Sequence, residues 1–296
     1  MDPRTLQLFA PAVIIPLVLY DRAVRHRTLQ PRGPEETGVN LMLGGITLLS
    51  DGIIVGAFLL FYDALAPHVA LFRIDSLAVQ VAICFVLGDF LSYVHHRLMH
   101  RWPVLWASHI VHHQSRTIDL SAGLRNHPLV MIGTCLAWGL LLPLGVRPAV
   151  MLLVAGIIGT YTVFVHQGDW LAPLGRVPGL AFVLNLPQHH RLHHSADEAY
   201  YNSNYGLLFI VWDRMFGTYH APDPEMRRFG VEGVPSTGRV RTLLWWEWSR
   251  LLRPDRAPPR EDDAPAEGRI GPGLMVYAGA IVLLALMSLL LGFPRV

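Results

Sequence analysis

Residues 95–113 read HHRLMHRWPVLWASHIVHH, six histidines in nineteen residues. They are spaced as His96-x3-His100 and His109-x2-His112-His113, and the second spacing returns as His190-x2-His193-His194. Residues three and four apart on a helix are neighbours, so each group reads as helical and each triplet can aim its imidazoles at one centre. Neutral imidazole is the commonest metal ligand among side chains. A structural zinc takes four protein ligands and a catalytic zinc three. Eight histidines at ligand spacing therefore imply two metal ions with open positions, carried on helices.

The chain around this stretch is apolar. Hydrophobic residues make up 52% and charged residues 16%, and the mean hydropathy is +0.36. Six apolar segments stand out, at 6–20, 39–62, 77–94, 129–144, 147–165 and 273–293. Several approach the roughly 20 residues that cross a bilayer as helix. The fourth is short and is parted from the fifth only by Gly145-Val146, as in a tilted hairpin or a partial dip. Segment 6–20 has only Arg4 before it and no small-residue cleavage site after it, so it reads as a retained span. The expected fold is an all-α integral membrane protein, transmembrane helices bearing a histidine-rich helical cap that holds a dimetal site.

Arginine placement orients it. Arg22, Arg25, Arg27 and Arg32 follow the first segment, whereas 63–76 carries only Arg73. The positive-inside rule puts the first loop in the cytoplasm, and counting crossings brings every histidine group to that same face. All 24 basic residues are arginine, which fits a GC-rich genome and a bacterial inner membrane. A net charge of +2 gives no reason to expect nucleic acid. Cys84 and Cys135 lie in apolar runs without a CxxC, and read as small buried hydrophobes.

Four parts follow from this. Residues 1–76 are N-terminal transmembrane helices and loops, 77–220 the catalytic domain, 221–272 an interfacial segment with a linker, and 273–296 a C-terminal transmembrane helix. The linker is 254–268, PDRAPPREDDAPAEG. Before it, 242–253 reads TLLWWEWSRLLR, a helix lying at the membrane interface through Trp245, Trp246 and Trp248, or packed on the protein's own core.

Neither His-Glu-x-x-His nor Glu-x-x-His occurs, so the zinc-peptidase helix and the carboxylate-rich di-iron bundle are excluded. All-imidazole ligation suits iron, zinc, copper or nickel. Asp89 and Tyr93 share a helical stripe with His96 and His100, which makes them candidate catalytic-site residues. Asp89 would hold a ligand imidazole by its second nitrogen. Asp119, Asp197 and Asp213 are further candidates to balance metal charge. Tyr93 and Tyr161 would line the site or serve as plain core.

The stretch 89–100, DFLSYVHHRLMH, resembles the first histidine box of the fatty acid hydroxylase/sterol desaturase superfamily, and 105–113, LWASHIVHH, the second. RNHP at 125–128 is similar to the family's Arg-x-His-Pro element, PQHHRLHHS at 187–195 to its last box, and NYG at 204–206 with WDRMFGT at 212–218 to its closing signature. The match covers about 86–219. The resemblance implies a non-haem di-iron membrane enzyme that uses O2 and two electrons to hydroxylate or desaturate a lipid, whether fatty acyl, sterol or related. It makes His96, His100, His109, His112, His113, His190, His193 and His194 iron ligands, with His166 a ninth ligand or the partner of one. His95 and His189 fall outside the box spacing, and His127 would orient a neighbour. Leu129, Gln114 and Gln167-Gly168 depart from the family pattern without removing a ligand. With no flavin, haem or ferredoxin motif in the chain, electrons would come from a separate ferredoxin-, cytochrome b5- or reductase-like donor. The alternatives are a dizinc membrane hydrolase and a metal-handling or transport protein.

Overall fold

The computed structural model describes residues 34–167, 169–255 and Gly279. The expected span at 6–20, the one at 273–293 apart from Gly279, the arginine-rich loop 22–32 and most of the 254–268 linker lie outside the described residues. The helices run α1 (Pro34–Val69), α2 (Leu77–Met99), α3 (Pro103–His113), α4 (Val130–Gly139), α5 (Pro148–Val165), α6 (Pro178–Val183), α7 (Pro187–His193), α8 (Val211–Phe216) and α9 (Val240–Leu252). Among the described residues there is no strand, only isolated bridges pairing Leu184 with Phe209 and Ser195 with Phe229. Proline opens α3, α5, α6 and α7, the position where its missing N–H costs nothing.

Helices α1, α2 and α5 are long and apolar enough to cross a membrane. Helix α4 and the 3-10 turn Leu142–Leu144 after it form a shorter apolar element. Its fifteen residues (130–144) span about 22 Å, less than the roughly 30 Å hydrocarbon layer. Pro143 and Gly145 end it. Gly145 has φ 79°, and an added Cβ would lie 2.1 Å from the carbonyl oxygen of Phe72, so only glycine makes this corner.

The long helices alternate in direction. At one end Leu71 N–H donates to the Pro143 carbonyl, and the Gln80 side chain accepts from Arg147. At the other, Asn40 donates to Ser121 and Thr47 to the Asn126 carbonyl. The start of α1 and the ends of α2 and α5 therefore share one end of the bundle, as the counting of crossings requires, and every histidine group gathers there. Between the helices lies a dry core that includes Tyr62, Cys84, Trp138, Leu142, Val154 and Ile158. The outer faces keep Leu60, Phe61, Val79, Leu136, Leu140 and Ile157 exposed. Such a belt suits lipid rather than water, and the protein is an integral membrane protein.

Helix α2 carries the segment-three stripe as one helix, with a π turn at Cys84–Gly88 immediately before Asp89. The Trp138 indole packs where a Cβ on Gly88 would sit, and its Nε1–H donates to Ser92, which in turn donates to the Gly88 carbonyl. Wide turns of this kind re-register a helix and collect at functional sites. Helix α9 does not lie free. Leu243 is buried with Val39, Leu43 and Val111, and Trp246 with Ile110 and Val234, while Trp245 stays exposed. This part of the 221–272 segment thus packs against the histidine-bearing α3.

Candidate metal centre

Nine imidazoles meet in two groups. His96, His100, His109, His113 and His193 form one, and His112, His166, His190 and His194 the other, each with its ligand atoms within 4.8 Å of one another. Neither triplet serves a single centre, contrary to the sequence expectation. On α3, His109 and His113 are a full turn apart and face the first group, while His112, about 100° round the helix from His113, faces the second. On α7 the split is reversed: His190 and His194 enter the second group and His193 the first. The groups share a wall, with the His113 and His194 rings stacked at 4.3 Å.

Four imidazoles have their Nδ1 against a backbone carbonyl: His96 at Tyr205 (2.7 Å), His112 at Arg125 (2.9 Å), His166 at Thr162 (2.6 Å) and His193 at Ser203 (2.8 Å). A carbonyl only accepts, so each ring carries its proton on Nδ1 and turns a bare Nε2 inward. Burial pushes His112 and His193 down to about 4, and it holds His100, His109, His113, His166, His190 and His194 well below the ordinary histidine value. Neutral imidazoles with converging lone pairs are the state a metal requires.

The spacing of the donors fits an ion. Nε2–Nε2 separations are 3.0 Å for His96–His109, 3.2 Å for His109–His113, 3.1 Å for His112–His166, 2.9 Å for His166–His190 and 3.1 Å for His190–His194. Donors about 2.1 Å from one ion lie roughly 3.0 Å apart at right angles and roughly 3.4 Å apart at tetrahedral angles. These closest pairs lie at separations that donors to a single ion can have. Around the first group the Trp106 ring packs on His100 and the Tyr205 ring on His96, His100 and His193, which keeps water out.

Asp89 does not hold an imidazole. Its carboxylate accepts from the Leu208 and Phe209 N–H groups and from Trp212 Nε1, because the 207–212 turn, distant in sequence, folds onto this face of α2. Asp213 likewise takes the N–H groups of Tyr205 and Gly206 and the Thr218 hydroxyl. Asp119 takes the N–H groups of Ser121 and Ala122, and Asp197 that of Ala199. Backbone carbonyls therefore do what carboxylates were expected to do. Tyr93 bonds to Thr218 and Arg97 and packs on Tyr205, one ring back from the imidazoles. Tyr161 donates to the Asn185 carbonyl.

His166 lies within the second group. His127 accepts from Leu129 N–H, His189 accepts from Leu186 N–H, and His95 packs against Gly133. Sequence reasoning missed Arg125, whose side chain is completely buried. Its guanidinium donates to the Val111 and Ser236 carbonyls, Asn40 and Gln114, while its own carbonyl holds His112. It also missed Asn204, at φ 55°, whose side chain ties His189 and His220 together. The Arg-x-His-Pro and Asn-Tyr-Gly elements were the available signals.

Fold and site define a membrane-embedded protein with a paired all-imidazole metal centre. Residues 81–218 match the fatty acid hydroxylase family. Alkylglycerol monooxygenase of Danio rerio is 32% identical over 172 residues, 58% of this chain and 36% of that protein. Ornithine lipid hydroxylase OlsE of Rhizobium tropici is 29% identical over 169 residues, 56% of this chain and 50% of that protein. Delta(7)-sterol 5(6)-desaturase erg32 of Schizosaccharomyces pombe is 30% identical over 162 residues, 50% of this chain and 42% of that protein. The chain spans between 26% and 36% of the length of the alkylglycerol monooxygenases that it matches. No solved structure matches. The histidine-bearing stretch is thus similar to the fatty acid hydroxylase family and to lipid-hydroxylating and sterol-desaturating relatives.

Proposed function

We propose that this protein is an O2-dependent oxidoreductase that hydroxylates or desaturates a C–H bond of a lipid at two non-haem irons. The observation that carries the reading is the pair of buried all-imidazole cages at one end of an apolar helix bundle. His96, His100, His109, His113 and His193 would hold one ion, and His112, His166, His190 and His194 the other. All-imidazole ligation suits iron as well as zinc, and the similarity to lipid hydroxylases and a sterol desaturase favours iron over the zinc of a hydrolase. Iron held there supplies the redox chemistry, in which O2, two electrons and two protons convert a C–H bond to an alcohol, or to an alkene with loss of a second hydrogen, and release water.

The chain's own residues bind, orient and shield. Backbone carbonyls fix four imidazoles in one tautomer. Trp106 and Tyr205 wall the first cage. Asp89 fastens the 207–212 turn to α2, and Tyr93 links α2 to Thr218, so both act by positioning. The substrate enters from the bilayer, whose depth the exposed apolar belt marks. Electrons arrive from a separate carrier. The arginine asymmetry of the first loop puts the histidine end on the cytoplasmic side, and the all-arginine composition favours a bacterial inner membrane. The four-part division at 76, 220 and 272 belongs to the same reading.

The test is lipid analysis of cells with and without the gene under isotopically labelled O2. A lipid that gains one labelled oxygen, or a double bond, only when the gene is present supports the proposal. Identical lipid profiles together with hydrolysis of a lipid ester by the pure protein would overturn it.

A further inference from the structure

The nine imidazoles do not hang on one scaffold. In the first cage His96 and His193 donate to two carbonyls of a single loop, Tyr205 and Ser203. Asp213, completely buried, fastens the Tyr205–Gly206 part of that loop, accepting from Tyr205 N–H at 2.7 Å, Gly206 N–H at 2.7 Å and the Thr218 hydroxyl at 2.7 Å. Asn204 ties the loop to the His189 and His220 carbonyls, and Asn185 donates to the Gly206 carbonyl. An added Cβ at Gly206 would lie 2.3 Å from the Phe209 carbonyl oxygen and 3.0 Å from Asp213 Oδ2, so the loop is closed on the carboxylate. In the second cage His112 donates to the Arg125 carbonyl, and His166 to Thr162 one turn back in α5. Arg125 is tied to Val111, Asn40, Gln114 and Ser236, none of them in the 203–218 clamp. Helices α3 and α7 feed both cages, but α2 feeds only the first and α5 only the second.

Resting on the two-metal reading above, we infer that the two ions are held by separate locks. Asp213 positions the five-imidazole cage through loop 203–206, Arg125 positions the four-imidazole cage, and one ion can be released while the other stays. Asp213 touches no imidazole nitrogen. It sets where two carbonyls point, and those carbonyls set the tautomer and ring angle of His96 and His193. Groups that orient a metal ligand in this way are worth about 10- to 100-fold in metal affinity.

Cobalt(II) is the probe. Detergent-purified protein is stripped with chelator and titrated anaerobically, and the ions held per folded chain are counted under competition. The unaltered chain holds two. Failure to reach two would count against the two-metal reading itself and not against the locks. Asp213→Asn keeps the side chain's size but turns an amide NH2 toward a backbone N–H. It weakens one ion at least tenfold and leaves the other as before. The surviving ion is lost on adding His190→Ala and kept on adding His109→Ala. Parallel weakening of both ions, or no weakening of either, would overturn the inference. Thr218→Val removes one bond to Asp213 while leaving the carboxylate in place. It weakens the same ion to a smaller degree, and it replaces Asp213→Asn if that variant does not fold. In the unaltered protein a competing chelator removes the ions in two resolved steps. A single joint step would overturn the inference whatever the variants do.

Discussion

Nε2 of His112 lies 3.1 Å from Nε2 of His166, while both rings commit their one proton to a backbone carbonyl. Two lone pairs thus face each other in a buried site, an arrangement that a cation between them stabilises and that its removal leaves repulsive. Stripping the metal should lower the thermal midpoint, and returning iron(II) should restore it. An ion at a hundred times its dissociation constant adds about 2.7 kcal/mol per site. Melting of stripped and reloaded protein in one detergent checks this, and equal midpoints would contradict it.

The same burial gives the metal-free protein a defined acid sensitivity. His112, His193, His127 and His189 fall from 6.5 to about 4 on folding, and six further imidazoles of the cages fall well below 6.5. A depressed pKa contributes stability that is whole above 6.5 and is lost as pH drops toward 4, because the unfolded chain takes up protons that the folded chain refuses. Each such group costs about 1.4 kcal/mol per pH unit inside that window. Asp213, pushed up to about 6 by burial, acts in the opposite sense, but the depressed histidines outnumber the buried carboxyls. Denaturation midpoints of stripped protein should be flat from pH 8 to roughly 7 and fall steeply below about 6.5. A profile flat to pH 5 would refute the buried neutral cage.

Asp89→Asn distinguishes a fastener from a holder of imidazole. The carboxylate accepts three donors from the 208–212 turn, and an amide in its place turns an NH2 against one of them. A buried donor left unsatisfied costs about 1–3 kcal/mol. The variant should melt earlier yet still bind two ions when loaded at low temperature. Loss of one ion with unchanged stability would return Asp89 to holding a ligand imidazole.

Arg125→Met should cost more. It leaves four acceptors without their donor in a buried site, and each buried acceptor left unsatisfied costs about 1–3 kcal/mol. Chemical denaturation of stripped protein is the cleanest measure, since it separates this loss from any change in metal affinity. A loss under about 1 kcal/mol, the size of one ordinary hydrogen bond, would show that the network is dispensable.

The histidine groups and long apolar helices were legible because both are local, periodic signals. Spacing of three and four put His96 with His100 and His109 with His113 without any knowledge of the rest of the chain. The assignment of each imidazole to a cage was not legible. It depends on how α2, α3, α5 and α7 are rotated against one another, and a one-residue step around α3 sends His112 away from His113. The carbonyl partners were invisible for a different reason. Tyr205, Ser203, Arg125 and Thr162 act through backbone atoms that every residue carries, so no side chain announces them. Asp89 was misassigned because its partners at 208–212 come from more than a hundred residues away. Helix α9 was left open between membrane surface and core since three tryptophans serve either place. In the fold Trp246 went inward and Trp245 outward.

Iron content and O2 uptake, measured together on anaerobically reconstituted protein after chemical reduction, test the central claim most directly. The account predicts two irons per chain and reduction-dependent O2 consumption. It also predicts one ion lost with His109→Ala, the other with His190→Ala, and O2 uptake abolished by either substitution. Two tightly held zincs that iron does not displace, with no O2 consumed in any reduced sample, would contradict it.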